Sequence, residues 1–421
     1  MTLTRSQSWS LVFAATFTMT ISYVDRQALA VLAPAITRDL HISETRYGLL
    51  ASAFSLAYLL GAPFAGRWID RVGVRRGLLL AVVVWTFASA LHAFAGGFAA
   101  LVLFRVLLGF AESPSFPGAS QAVHRALPAA ERPRGMGVLF TGSSVGSMVA
   151  PPLTGVLMAF FGWRVALLAA AIAGLVWVPV WLLTAWRRPM RDALDAAPEP
   201  DDERTVGAGA YRDATVSGHA AWRPWRDRAV LRTLTLIVAS SPAIGLVLTW
   251  SAKYMVRTWH VPIARAGAYI WLPPLLFDLG SVAFGDLAAR LGRPRGSTPR
   301  GLIVASTALA FTGTLAMVHA RTPWEAMLLA GAAMFGGGGT YAMISSDMLA
   351  RIPARGVSTA GGLCASAQAL AFVVANPLIG SSVQTRGSYG AALLALAAWI
   401  VPGALAWLLW PGVPAPRSVR A

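Results

Sequence analysis

Apolar runs of roughly 20 residues recur along nearly the whole chain, separated by short breaks rich in arginine, glycine or proline. A run of that length crosses the hydrocarbon core of a bilayer as one α-helix. With 56% hydrophobic and only 13% charged residues, a water-soluble fold of 421 residues would have too few polar groups to cover its apolar surface. The sequence therefore predicts an all-α integral membrane protein.

Twelve membrane spans are predicted, six on each side of a polar segment. Residues 186–229 hold eight arginines, eight acidic residues and no hydrophobic period, which predicts a solvated linker between an N-terminal half, 1–185, and a C-terminal half, 230–421. The first span is too long for a signal-peptide core, so we expect it to remain. The predicted spans cover residues 9–33, 47–65, 77–95, 98–120, 136–161, 163–185, 230–256, 267–289, 301–319, 324–347, 357–382 and 389–410.

The distribution of charge predicts the orientation. The net charge is +17, but the arginines are spread through the loops between spans, so no nucleic-acid partner is expected. Four short connections on one side hold thirteen arginines, whereas the six opposite connections hold seven and Lys253. The arginine-rich side and both termini are therefore expected in the cytoplasm. The single cysteine, Cys364, cannot form an intrachain disulfide, and we expect a monomer in the bilayer without metal or cofactor.

The loop after the second span carries a glycine–acid–arginine pattern, read as a gating motif. It runs Gly66-Arg-Trp-Ile-Asp70-Arg71-Val-Gly73-Val-Arg75-Arg76 and resembles the signature that the major facilitator superfamily has between its second and third spans. The loop after the eighth span repeats the pattern in part, with Gly285, Arg290, Gly292 and Arg295. The resemblance implies the major facilitator fold, in which two six-helix halves rock about a central site to give alternating access.

Three further runs in the first half resemble the anion:cation symporter family of that superfamily. This family includes bacterial carriers of sugar acids and animal carriers of sialic acid and glutamate. The resemblance implies uptake of a small organic anion with protons across a bacterial inner membrane. It also implies that Arg26 and Arg105 bind substrate, while Asp25 and Glu112 exchange protons. The runs are Tyr23-Val-Asp25-Arg26 through Pro34, Phe104-Arg105 through Glu112-Ser-Pro114-Ser-Phe-Pro117, and Ala150-Pro151-Pro152 with Gly162-Trp163-Arg164.

Four charges within predicted spans support that reading independently. A charge at mid-membrane costs roughly 2.5–3.5 kcal/mol on insertion scales, so such residues face a cavity or a partner. Asp25 and Arg26 lie about 100° apart around one helix, while Arg105 and Glu112, seven residues apart, lie on nearly the same helix face. Arginine grips a carboxylate with two hydrogen bonds, and burial favours the protonated form of an acid. Alternatively, the four charges only neutralise one another as structural pairs.

The second half offers weaker candidates, each with a structural alternative. Asp278 either touches substrate hydroxyls or pairs with a polar neighbour. Lys253 either contacts substrate or extends to the membrane interface, as a lysine near a helix end commonly does. The amides of Gln368 and Asn376 suit a hydroxylated ligand or hydrogen bonds between helices. Tyr23 and Tyr254 could cap the cavity. In the second half, Trp250, Lys253 and Tyr254 fit the symporter family pattern, and Leu272-Pro273 with Asp278-Leu-Gly280-Ser resembles hexuronate carriers.

Two other functions are open to a chain of this kind. A proton-coupled exporter of drugs or metabolites has the same fold, and Gly142, Gly146, Pro151 and Gly155 in the fifth span partly resemble such exporters, although Ala150 interrupts their glycine–proline pair. A membrane enzyme or sensor is disfavoured, because the sequence has no nucleophile motif and no histidine-rich metal spacing.

Overall fold

A computed structural model describes residues 3–128, 131–195, 224–291, 299–349, 351–352 and 357–410, and the regular elements in these ranges are helices. The α-helices are α1 (Arg5–Asp39), α2 (Glu44–Val72), α3 (Val74–Leu91), α4 (Phe98–Glu112), α5 (Ser115–Ala126), α6 (Arg132–Leu175), α7 (Trp177–Ala185), α8 (Met190–Asp195), α9 (Arg228–Trp259), α10 (Ile263–Ile270), α11 (Leu272–Leu291), α12 (Arg300–Ala316), α13 (Pro323–Leu349), α14 (Val357–Arg386) and α15 (Gly390–Leu409).

These helices form the predicted all-α fold of twelve spans. In the described ranges, nine stretches are long and apolar enough to cross a membrane, and the bent helix α2 gives a tenth. The longest runs from Arg134 to Ala185, about 78 Å of helix at 1.5 Å per residue, which far exceeds one bilayer core. It breaks at Gly162, where φ is 80°, into an eleventh span, because that left-handed conformation suits glycine. The twelfth is α1, which is too polar to pass on composition but is buried along most of its length.

Among the described residues, the three largest of four buried clusters hold most of the helices together. One lies within the N-terminal half and contains Trp85, Trp177 and Trp181. A second lies within the C-terminal half, around Met343 and Trp407. The third joins the halves, with contributions from α1, α2, α9 and α14 among others. Each half therefore has its own core, and the shared core fixes how the two halves meet.

The halves touch at one end of the bundle and separate at the other, as the two ends of α2 show. Near the start of α2, a methyl group on Gly48 would overlap the backbone of Asn376 and lie 2.9 Å from Cα of Pro377 in α14. Near its end, a methyl group on Gly66 would meet no described atom within 4 Å. We call the first end, where α2 begins, the closed end, and the other, where α2 meets α3, the open end.

The predicted linker is not solvated throughout. Its first part forms α8, which docks at the open end with Met190 and Leu194 buried. The carboxylate of Asp195 pairs with Arg75 at 2.7 Å, and the guanidinium of Arg75 lies 4.4 Å from the ring centre of Trp186. Charged residues surround Met190 and Leu194 in the sequence, so no hydrophobic period indicates that these two side chains are buried. Residues 196–223 of the linker lie outside the described residues.

The contrast along α2 gives a stability prediction. We expect Gly48→Ala to destabilise the protein by about 1–3 kcal/mol, because the added methyl group forces α2 away from the backbone of α14. The matched change Gly66→Ala adds the same group where space is open and should leave the thermal unfolding midpoint near that of the wild type. Equal midpoints for both variants would contradict the described approach of α2 to α14.

Candidate functional site

The site is built on α1, whose charges are adjacent but point to different neighbours. Asp25 and Arg26 both face the protein interior, as a 100° step between consecutive helical residues allows. Asp25 points towards α3, where the hydroxyl of Ser89 donates to its Oδ1 at 3.1 Å. Arg26 points towards α2 and α4. One helix thereby supplies both a carboxyl group and a guanidinium group to the interior of the N-terminal half.

Arg26 and Glu112 form a direct ion pair. Nε of Arg26 lies 2.5 Å from Oε1 of Glu112, and the hydroxyl of Ser22 donates to the same oxygen. Glu112 is fully buried, and its Oε2 has no hydrogen-bond partner among the described residues. The Oε2 atom of Glu112 therefore still lacks a hydrogen-bond donor in the described part of the chain. This is costly, because an unpaired buried oxygen loses its hydration without compensation.

A helix break places Glu112 deep in the bundle. Helix α4 ends at this residue because Pro114 has no N–H to donate to the carbonyl of Phe110. The hydroxyl of Ser113 donates to that carbonyl instead, at 2.8 Å, and α5 continues the span from Ser115. A charged side chain at the end of α4 is thereby held inside the protein, among α1 and α2, rather than in lipid.

An aromatic cage surrounds the guanidinium of Arg26. Its central carbon lies 4.9 Å from the ring centre of Tyr23, 5.0 Å from that of Phe54 and 4.7 Å from that of Tyr58. The side chain is 21% exposed, while that of its partner Glu112 is 0% exposed. Arg26 is therefore the member of the pair that a ligand can reach. Its hydrogen bond to Glu112 uses Nε, which leaves the two terminal nitrogens for another acceptor.

Arg105 is the buried cation without a carboxylate close by. It is 6% exposed and lies over Phe54 at 5.2 Å, and no carboxylate of the described residues lies within 4 Å of it. Its Nε also has no hydrogen-bond partner in this part of the chain. The four charges are therefore not arranged as two structural pairs, because Arg26 and Glu112 pair while Asp25 and Arg105 do not contact each other.

The predicted residues of the second half separate into two groups. Asp278 is half-buried in α11 and lies near Ser144 of α6, so it lies where the two halves face each other. Gln368 is half-buried on α14. Asn376 on the same helix is buried and accepts a hydrogen bond from Nε1 of Trp250 at 3.0 Å, which is the structural role considered for it.

Lys253 and Tyr254 lie at the closed end, apart from the charges of α1 and α4. Lys253 does not extend to the interface: its side chain is 5% exposed and its Nζ lies 2.9 Å from Oε2 of Glu44. Tyr254 is buried against Tyr389 with 5.2 Å between ring centres. The structure thus brings Tyr23, Asp25, Arg26, Arg105 and Glu112 together and leaves these two residues in the contact between the halves.

The gating motif shapes the open end. Gly73 joins α2 to α3 with φ at 85°, a conformation that favours glycine. Asp70 accepts a hydrogen bond from Nε2 of Gln121 at 2.6 Å, whereas Arg71 and Arg76 are exposed. In the partial second copy, Arg290 pairs with Asp286 at 2.7 Å. Gly292 and Arg295 lie outside the described residues.

Sequence reasoning did not identify four residues that complete the site. Ser22 and Ser89 each donate a hydrogen bond to one oxygen of an acid, and nothing in their local sequence distinguishes them from other serines in spans. Phe54 and Tyr58 are spaced by four residues on α2, which places both on one helix face. This spacing is the one feature of the sequence that indicates that the two rings lie together.

Comparison with known proteins decides the family. A model of the Major Facilitator Superfamily matches residues 15–375. The chain belongs to the major facilitator superfamily. It is therefore a multi-pass membrane transporter and not an enzyme.

Similar proteins share most of the chain. The hexuronate transporter of Escherichia coli (strain K12) is 26% identical over 97% of this chain and 95% of its own length. The galacturonate transporter of Dickeya chrysanthemi is 28% identical over 66% of this chain and 80% of its own. A solved bacterial homologue of the human lysosomal transporter Spinster, in an inward-facing and occupied conformation, matches with a TM-score of 0.76, 17% identity and 97% coverage of both chains. This likeness supports the fold.

The two amides of α14 give a prediction that separates a structural from a functional role. We expect Asn376→Leu to lower the free energy of unfolding by about 1–3 kcal/mol, because the buried N–H of Trp250 loses its acceptor. Gln368→Leu, the same change at a half-buried position of the same helix, should cost less than about 0.5 kcal/mol. Thermal unfolding of the purified variants measures both. A larger loss for Gln368→Leu would contradict the assignment.

Proposed function

We propose that the protein carries a small organic anion, a sugar acid or another carboxylate, across the membrane together with protons. Two similar proteins are named for the transport of hexuronate and galacturonate, both of which are sugar acids. The charges described above suit that class, because they present arginine at an accessible position and acids at buried ones.

The observation that carries the proposal is the ion pair between the accessible Arg26 and the buried Glu112. A substrate carboxylate that reaches the site can bind the two terminal nitrogens of Arg26 as a fork. The approach of a second negative charge weakens the attraction between Glu112 and the guanidinium of Arg26. Glu112 is fully buried, and we propose that it takes up the proton that accompanies the substrate.

Charge balance links the two events. With both acids ionised, Asp25, Arg26, Arg105 and Glu112 sum to zero, so an added anion would leave a net negative charge in a buried site. Protonation of Glu112 makes the sum positive and matches one substrate carboxylate. Binding and protonation therefore favour each other, which is the thermodynamic requirement for symport.

Three polar residues near the contact between the halves suit a hydroxylated substrate. Asp278 and Ser144 lie where the halves face each other, and Gln368 is half-exposed on α14. Carboxylate, hydroxyl and amide groups accept and donate hydrogen bonds to sugar hydroxyls. We expect these residues to offer hydrogen bonds to the hydroxyl groups of a sugar acid whose carboxylate binds Arg26.

Alternating access would move the substrate. The open end carries the arginine-rich connections and α8, so the positive-inside rule assigns it to the cytoplasm together with both termini. The closed end then faces outward, and the described conformation is open to the inside. Rocking of the halves would open the closed end and expose the same site outward.

The two roles predict different losses on mutation. In proteoliposomes, Glu112→Gln should still exchange labelled D-galacturonate, because glutamine resembles the protonated acid, but should lose accumulation driven by a pH gradient. Arg26→Ala should weaken binding by about 100-fold or more, since the substrate carboxylate loses the charge-assisted hydrogen bonds of the guanidinium.

Arg164→Ala is the matched control, because this arginine pairs with Asp39 at the closed end, away from the site, and should transport normally. Accumulation by Glu112→Gln on a pH gradient, together with normal binding by Arg26→Ala, would contradict the proposed division of roles.

A further inference from the structure

A second charged cluster joins the two halves at the closed end. Lys253, the only lysine of the chain, sits on α9 with its Nζ 2.9 Å from Oε2 of Glu44 and 2.8 Å from the hydroxyl of Thr37. Its side chain is 5% exposed and lies 4.9 Å from the ring centre of Tyr47. A buried ammonium held by a carboxylate and a hydroxyl is a formed anion-binding site.

Glu44 occupies that site together with a second cation. Its Oε1 lies 3.2 Å from a terminal nitrogen of Arg257, which follows Lys253 by one helical turn on α9. Glu44 belongs to the first half, at the start of α2, and both cations belong to the second half. One carboxylate of one half therefore neutralises two cations of the other half.

Outward opening must break this contact. Alternating access requires α2 and α9 to separate at the closed end, because the contacts of Glu44 and the hydrogen bond from Tyr47 to the carbonyl of Thr249 cross the boundary between the halves. Lys253 and Arg257 then lose their carboxylate while Tyr47 and Thr37 withdraw. Two neighbouring cations without a counter-ion favour capture of another anion.

We propose that Lys253 and Arg257 form the entry site for the carboxylate of the incoming organic anion, and that Glu44 fills this site when the closed end is shut. The inference rests on the proposed function for the identity of the anion. Substrate and Glu44 compete for the same cations, so arrival of the anion stabilises the outward-open state and its departure lets the closed end shut.

A cavity lies next to the cluster on α9. A small cavity between the halves is lined by Gln27 of α1 and by Thr249 and Ser251 of α9, just beyond Lys253 along α9. Gln27 is the next residue after Arg26. Helix α1 therefore contributes neighbouring residues to this cavity and to the central site.

The single lysine makes the test direct. Purified protein in phosphatidylcholine nanodiscs is treated with a membrane-impermeant, amine-reactive acetylating reagent, and acetylation of Lys253 is followed by peptide mass spectrometry. We expect slow reaction in the wild type and a rate raised by about fivefold or more in Glu44→Gln, because loss of one partner of a buried pair favours the open state. Asp39, another acid of the closed end, pairs with Arg164 within the first half, so Asp39→Asn should react as the wild type does.

The anion is tested on Glu44→Gln with D-galacturonate, propionate and neutral D-galactose as probes. Slowing of acetylation by either carboxylate, but not by D-galactose, supports the entry site. Slowing by propionate alone supports the entry site and contradicts a sugar acid as substrate. Acetylation of Glu44→Gln at the wild-type rate, or a raised rate that no carboxylate slows, overturns the entry site. The measurement does not require transport, so this outcome is separate from a failure of the proposed function.

Discussion

The buried ion pair between Arg26 and Glu112 is the interaction on which the rest of the site depends. Isolated charges inside a membrane protein are costly, so each member requires the other or a substitute. The surrounding architecture supplies such substitutes: Ser22 on one oxygen of Glu112 and three aromatic rings over Arg26. A substrate carboxylate for Arg26 and a proton for Glu112 are the remaining substitutes, which is why the proposal couples them.

The same principle applies at the closed end. Glu44 bridges Lys253 and Arg257 across the halves, as Glu112 bridges α4 to Arg26 within one half. In both places a protein carboxylate holds a cation that an organic anion can claim. The transport cycle proposed here is therefore a sequence of carboxylate exchanges, first at Lys253 and Arg257 and then at Arg26.

The length and spacing of apolar runs were enough to predict the twelve spans, because each must cross a bilayer of fixed thickness. The charged members of the site were also predictable, since charges within spans are costly. Their partners were not. Residues Arg105 and Glu112 share a helix face, but Glu112 pairs with Arg26 because α1 packs beside the break after α4. Sequence periodicity shows which residues share a face of one helix, but not which helix packs against that face. For the same reason, the pairing of Lys253 with Glu44 and the docking of α8 could not be predicted.

Proton uptake on substrate binding shows whether Arg26 and Glu112 are coupled as proposed. The account requires Glu112 to take up a proton when a carboxylate binds Arg26. Calorimetric titration of the purified protein with D-galacturonate, in buffers of different ionisation enthalpy at one pH, measures the number of protons exchanged. The account predicts a binding heat that varies with the buffer and corresponds to uptake of about one proton per bound anion. Tight binding with a heat that is the same in every buffer would contradict it.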